Sequence, residues 1–222
     1  MTVSEALAAR RTVKVFADLD SPPDVPPGLL DDVRAAVADA GWAPFHYPAH
    51  KSHRDDSSHP GALPSPVPWR MHVIDHAACR TLAALLGEGG DATLADVAGG
   101  KLPQMLAAAG AVVAVTWLPH PAERENAKLT QMNEEHLMAA AAATQSLLLG
   151  LTARSIRSYW SSGGAVADRR LLDRLGCGPG ERLAAAVFAW PPRTDGETSV
   201  PGKHRDTRGH VSDWSRLVTA VS

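Results

Sequence analysis

Leu137–Leu151 reads LMAAAAATQSLLLGL, and the fold follows from how this stretch is read. Apolar residues fall nearly all round a helical wheel, which predicts a helix buried on every side. The run is shorter than a membrane span. It is preceded by Glu123, Arg124, Glu125, Asn126, Lys128, Asn133, Glu134 and Glu135 and followed by RSIRSYWSS, so a core helix is expected rather than a bilayer one. Ala139 to Ala143 carry almost no side chain and permit close helix packing. The apolar partners come either from the rest of the chain or from a second copy of it.

The full chain of 222 residues bounds the problem. A formal net charge of −2 and a sequence pI near 6.5 give no basic footprint for nucleic acid. Cys79 and Cys177 form no disulfide framework, and the N-terminus has no apolar core of signal-peptide length. A cytoplasmic protein is therefore expected, with no membrane partner.

Outward from the central helix, apolar periodicity predicts helices over Ser4–Arg11, Leu29–Trp42, His76–Leu86, Leu102–Ala109, Val166–Leu175 and Val211–Val218. Strands are expected at Thr12–Phe16, Pro68–Asp75, Ala111–Leu118, Ser158–Ser161 and Arg182–Trp190. Pro191–Thr207 reads as a polar, turn-rich arm. Strands alternating with helices indicate a mixed α/β or α+β class, with a small sheet between helices. Neither standard nucleotide loop, GxGxxG after a strand or GxxxxGK[ST], is present, and no GxSxG elbow occurs.

Two stretches carry candidate chemistry. Arg10, Arg11 and Lys14 lie together where a helix meets a strand. They read either as a solvated basic turn or as an anion cradle to which Thr12 adds a hydroxyl. Ala43–Val67 has no hydrophobic period and reads as a long loop holding His46, His50, His53 and His59. Histidines at these spacings can ligate a metal, but no cysteine joins them and no rigid element carries them, so a solvated, mobile flap and no metal site is expected.

Taken in order, several segments resemble motifs of the FMN-dependent nitroreductase family. RRTVKVF at the start is similar to R-R-S-x-R-x-F. Trp42-Ala43-Pro44 is like A-P-S, and Ser65-Pro66-Val67-Pro68-Trp69 is like N-x-Q-P-W. The central helix with Gln145, the following Tyr159-Trp160-Ser161, and the tail KHRDTRGHVSDW with its K-x-R…W complete the series. The resemblance runs from Ala6 to Trp214.

It implies a nitroreductase-like α+β fold: a three-layer α/β/α sandwich with a small mixed or antiparallel sheet, and a long buried central helix at a dimer interface. One domain would span 1–222, with a His/Pro/Ser-rich insertion at 45–66 and an extended C-terminal arm at 191–222. It also implies a homodimer with FMN between the subunits. Arg10, Arg11, Thr12 and Lys14 would contact the phosphate, ribityl chain and pyrimidine edge. Lys203 and Arg205 would close on the phosphate. Ser161, Ser162, Gly163 and Gly164 would place backbone N–H groups near flavin N5 and O4, and Pro44 and Phe45 would reach the partner's flavin.

Three departures from the pattern stand out. Ser65 and Val67 replace the family's Asn and Gln, which weakens a flavin contact at Ser65. The insertion lengthens the path from Pro44 to Trp69 and is expected to gate the substrate side. Ser155 stands where the family has glycine after the central helix. The expected activity is hydride transfer from NADH or NADPH, by way of FMN, to a small nitroaromatic- or quinone-like acceptor with ping-pong kinetics. No side chain is an obligatory acid or base, although His46 and Tyr47 are candidate proton donors. The alternatives are a flavin store or sensor without turnover, and a metal-responsive module built on the flap histidines.

Overall fold

The computed structural model describes residues 1–54, 63–94, 96–97, 100–121, 127–205 and 207–216. In chain order its elements are α1 (Val3–Ala9), β1 (Val13–Phe16), α2 (Leu29–Ala40), α3 (Lys51–Arg54), β2 (Trp69–Asp75), α4 (His76–Leu86), α5 (Leu102–Ala108), β3 (Ala111–Trp117), α6 (Ala127–Ala153), β4 (Arg157–Ser161), α7 (Arg169–Arg174), β5 (Arg182–Trp190) and β6 (Thr198–Pro201). Short 3-10 turns lie at Ala92–Leu94, Gly164–Ala167 and Val211–Asp213.

Four strands form an antiparallel sheet in the order β2-β3-β5-β4. Its two faces follow from alternation along β5. Ala185, Val187 and Ala189 pack under α2 and α6, while Ala186, Phe188 and Trp190 pack under α4, α5 and α7. This is the expected three-layer sandwich. Small side chains govern the first face. A Cβ on Gly150 of α6 would lie 3.2 Å from the Cα of Ala36 on α2, so the two helix backbones touch there.

Within one copy, the central helix is covered from one side. Only one side of α6 is buried, through His136, Ala139, Ala140, Ala143, Thr144, Leu147, Leu148, Gly150 and Leu151. Leu137 and Met138 are 43% and 61% exposed. α6 is long and apolar enough to span a bilayer by length and composition. Its buried leucines nevertheless sit on this sheet, each contributing about 1.5–3 kcal/mol by leaving water. It also ends as a glycine-terminated helix would. Ser155 adopts a left-handed φ of 59°, its N–H bonds Thr152 O and the Ile156 N–H bonds Leu151 O. This is the paired closure usual at helix C-termini, here made without glycine.

The arm departs from its expectation. Part of it is β6, antiparallel to β1, with Val13 opposite Pro201 and Phe16 opposite Thr198. β1 is fixed by a bridge from Thr12 to Ser158, by the buried Trp190 indole N–H on Val13 O (2.8 Å) and by the Ala17 N–H on Gln104 O (3.1 Å). The strand bearing Lys14 is thus held between sheet, α5 and arm. The closing helix expected at Val211–Val218 is a 3-10 turn, Val211–Asp213, with residues 217–222 outside the described set. α1 begins at Val3, one residue earlier than expected, because Thr2 caps it in a reciprocal box with Glu5.

Candidate functional site

A cleft of about 310 Å³ opens where β1, α5, β4 and the Gly164–Ala167 turn meet. That volume lies at the small end for ligand sites. Lys14, Lys101, Tyr159, Ser161, Gly163 and Phe188 are among its walls. The ammonium of Lys14 lies 4.9 Å from the Tyr159 ring centre, and that of Lys101 lies 4.7 Å from the Phe16 ring centre. Both cations rest on aromatic faces, a favourable contact. A Cβ on Gly163 would meet nothing within 4 Å, so its backbone faces open space. Gly164 has φ +69°, a conformation that side-chain-bearing residues rarely adopt. Lys101 had no distinguishing signal in the sequence.

Next to β1, four arginines gather about the end of α1. The Arg10 guanidinium donates to Thr12 Oγ1 (3.2 Å). Burial, and then the charges of Arg208, Arg205 and Arg11, make its charged form harder to keep than that of an ordinary arginine. Arg205 forks onto the carbonyls of Arg10 (2.7 Å) and Ala8 (2.8 Å), and Arg11 also donates to Ala8 O (2.5 Å). The arm therefore does carry Arg205 back to the N-terminal motif. Part of its donor set satisfies the last carbonyls of α1. Among the described residues, Arg10, Arg11, Lys14, Lys101 and Arg205 form no ion pair with a carboxylate. Lys203 and Ser162 are exposed.

Pro44, Phe45 and Ser65 do not reach this cleft. Pro44 and Phe45, with His46, border a second opening of about 480 Å³ over the outward face of α6, against Glu135, Met138 and Ala142. Phe45 meets Trp69 edge-on at 5.7 Å. Ser65 is half-buried, and its carbonyl accepts from Arg70 at 3.1 Å.

The flap is more tightly anchored than its composition predicts. In its described part, α3 places the His53 Nε2 2.8 Å from Pro119 O. The His50 ring lies 5.6 Å from that of His120, which lies 4.8 Å from that of His136. His136 is buried, with Nδ1 2.7 Å from Leu118 O. Burial lowers the pKa of His120, with further lowering by His136, His50 and His53. His120 and His136 lie far from the flap in sequence, and nothing there marked them as its seat. Residues 55–62, His59 among them, fall outside the described residues.

No protein-family model matches the sequence, and no curated protein does. Solved structures do match. A nitroreductase-like family protein from Bacillus cereus is similar over 99% of this chain and 97% of its own, with a TM-score of 0.62 and 18% identity. A nitroreductase with bound FMN from Bacteroides fragilis aligns over 88% and 90%, at a TM-score of 0.54 and 18% identity. A Staphylococcus epidermidis protein provisionally named an NAD(P)H:FMN oxidoreductase aligns over 98% and 96%, at 0.57 and 14%. With the layer order and the long helix under the sheet, these likenesses establish that this chain has the nitroreductase fold.

Proposed function

We propose that this chain is an FMN-dependent oxidoreductase that moves a hydride from NADH or NADPH to a small acceptor such as a nitroaromatic or quinone. The observation that carries this reading is the cation surplus: Lys14 and Lys101 line one aromatic-walled cleft, and Arg10, Arg11 and Arg205, from both ends of the chain, gather beside it at the end of α1, with no carboxylate partner among the described residues. A dianionic phosphate joined to a flat ring meets both halves of that arrangement. Similar structures hold FMN or are named for its chemistry.

The residues present fit the group. Arg10, Arg11, Thr12, Lys203 and Arg205 would hold the phosphate end, and Lys14 the pyrimidine edge. The open backbone of Ser161–Gly164 would face the ring. When bound, FMN supplies the two-electron redox chemistry that side chains lack. Lys14 lowers the free energy of negative charge beside it, more strongly in a partly dry cleft than in water. Phe188, Met105 and Val166 give the cleft an apolar wall that excludes water. Donor and acceptor would use the same opening in turn, which gives ping-pong kinetics.

The open face of α6 supports a homodimer. Leu137, Met138 and the 90% exposed Trp42 are apolar and uncovered in one copy, next to the opening bordered by Pro44 and Phe45. The two cysteines are buried and free, which suits a reducing cytoplasm. The test is the visible spectrum of the pure protein under anaerobic NADH or NADPH. A yellow dimer that bleaches and recovers in air supports the proposal. A yellow protein that never bleaches indicates a flavin store. A colourless monomer that takes up no FMN overturns both readings.

A further inference from the structure

Away from the cleft, toward the other end of β5, His72, Cys177 and Glu181 bring three different ligand types together. One ligand atom from each lies within 4.8 Å of the other two. His72 comes from β2, while Cys177 and Glu181 bracket the tight Gly178-Pro179-Gly180 turn between α7 and β5. Cys177 is fully buried and Glu181 nearly so. The Glu181 carboxylate accepts from the Gly178 N–H (3.0 Å), from His72 Nε2 (2.7 Å) and from the Thr116 hydroxyl. These three donors fix the orientation of the carboxylate.

We propose that His72, Cys177 and Glu181 form a binding site for a divalent transition metal of zinc type. The argument rests on three unlike ligand atoms converging in a buried place. Within it Glu181 faces His72 at 2.7 Å, while the nearby Arg70 gives its guanidinium to the carbonyls of Leu63, Ser65, Val67 and Trp69. A divalent ion bound by one thiolate, one carboxylate and one neutral imidazole is electrically neutral overall, the state a dry interior favours. Sulfur, nitrogen and oxygen donors together suit zinc, and three protein ligands leave a fourth position for water. Thr116 and the Gly178 N–H already orient the carboxylate, as outer partners of metal ligands do. Binding displaces the Cys177 proton to solvent, and the neutral His72 ring turns its Nε2 lone pair to the ion with its proton carried on Nδ1. The ion would tie β2 to the α7–β5 turn. The site does not depend on the flavin reading.

The test is Co²⁺ titration of the chelator-treated full chain carrying Cys79→Ser, which leaves Cys177 as its one thiol. Expected are one equivalent of Co²⁺, an ultraviolet thiolate-to-cobalt band, its loss on adding Zn²⁺, and weaker binding as pH falls. His72→Gln should weaken binding at least tenfold, and Cys177→Ser should abolish the band. Absence of the thiolate band in the Cys79→Ser protein overturns the proposal, even should the other variants fail to fold. Cobalt held with imidazole-type bands alone also overturns it, since the ion then sits on the flap histidines. FMN binding is expected to be unchanged by the metal.

Discussion

Two groups of arginines in this molecule differ in one respect that separates scaffold from site. Around α7, Arg169 pairs with Asp173, Arg170 with Asp96 and Asp168, and Arg174 with Asp91. Around the end of α1, Arg10, Arg11 and Arg205 have carbonyls, a hydroxyl and one another, and no carboxylate among the described residues. A formal net charge of −2 conceals the difference, because the acidic residues are placed elsewhere. Paired arginines fasten elements together, whereas an uncompensated group holds a standing attraction for an anion.

The largest effect should come from the uncompensated group. Arg10→Ala is expected to weaken FMN binding by roughly ten- to hundredfold, the loss of a charge-assisted hydrogen bond of about 1.5–3 kcal/mol. Quenching of FMN fluorescence on binding measures it. Unchanged affinity would mean that the surplus serves something other than the phosphate. Arg205→Ala should act in the same direction and also release the last carbonyls of α1.

Next is an arginine that is paired but half-buried. Arg157 grips both Glu197 oxygens, at 2.6 and 2.7 Å, and so anchors the segment leading into β6. Glu197→Gln should destabilise the fold by about 1–3 kcal/mol by leaving that guanidinium underpartnered, read from denaturant midpoints. The Arg157 hydrogen bonds hold the Glu197 carboxyl below its usual range. A carboxyl depressed in the folded state contributes stability above its unfolded pKa and loses it as pH falls through the folded one. The variant should therefore lose less stability than the parent on acidification. Because the arm carries Arg205, a modest fall in FMN affinity should accompany the change.

The histidines give a third case, a group that acid would make uncompensated. The depressed pKa of His120 means that the unfolded chain binds its proton first. Stability is full above the ordinary histidine value and falls as pH drops below it toward the depressed one. Thermal midpoints measured from pH 7 to 5 should fall, and His120→Gln should flatten that fall. An equal slope in the variant would show that the packing of His50, His53 and His136 around His120 does not control the flap.

These cases also show what the sequence could convey. The helices and strands were legible where one side of an element faces the core for several turns or pleats. Val33, Ala36 and Ala40 mark α2, and Val113 and Val187 mark the central strands. The faces of α6 were not separable, because its exposed Leu137 and Met138 are as apolar as its buried Leu147 and Leu148. β6 is only four residues long and gains its partner from the opposite end of the chain, so no local period announces it. The cation cluster was visible as Arg10, Arg11 and Lys14, but its lack of carboxylates was not, since pairing is a property of three-dimensional neighbours. Lys101 was missed for the same reason. So were His72, Cys177 and Glu181, because His72 lies on a strand more than a hundred residues before the Cys177–Glu181 turn.

The smallest expected effect completes the contrast. Arg170 touches Asp168 through both carboxylate oxygens, Asp96 through both, and Thr93 O at 2.8 Å. It makes more hydrogen bonds than Arg10 does. All of these carboxylates lie where water competes for them, and ion pairs of that kind contribute little. Arg170→Ala should therefore leave FMN affinity unchanged and shift the thermal midpoint by no more than about 2–4 °C. A large loss of FMN binding in that variant would show that the 3-10 turn Gly164–Ala167, just before α7, is set by the Asp168–Arg170–Asp96 network. The division between scaffold and site would then have to be redrawn to include the paired arginines.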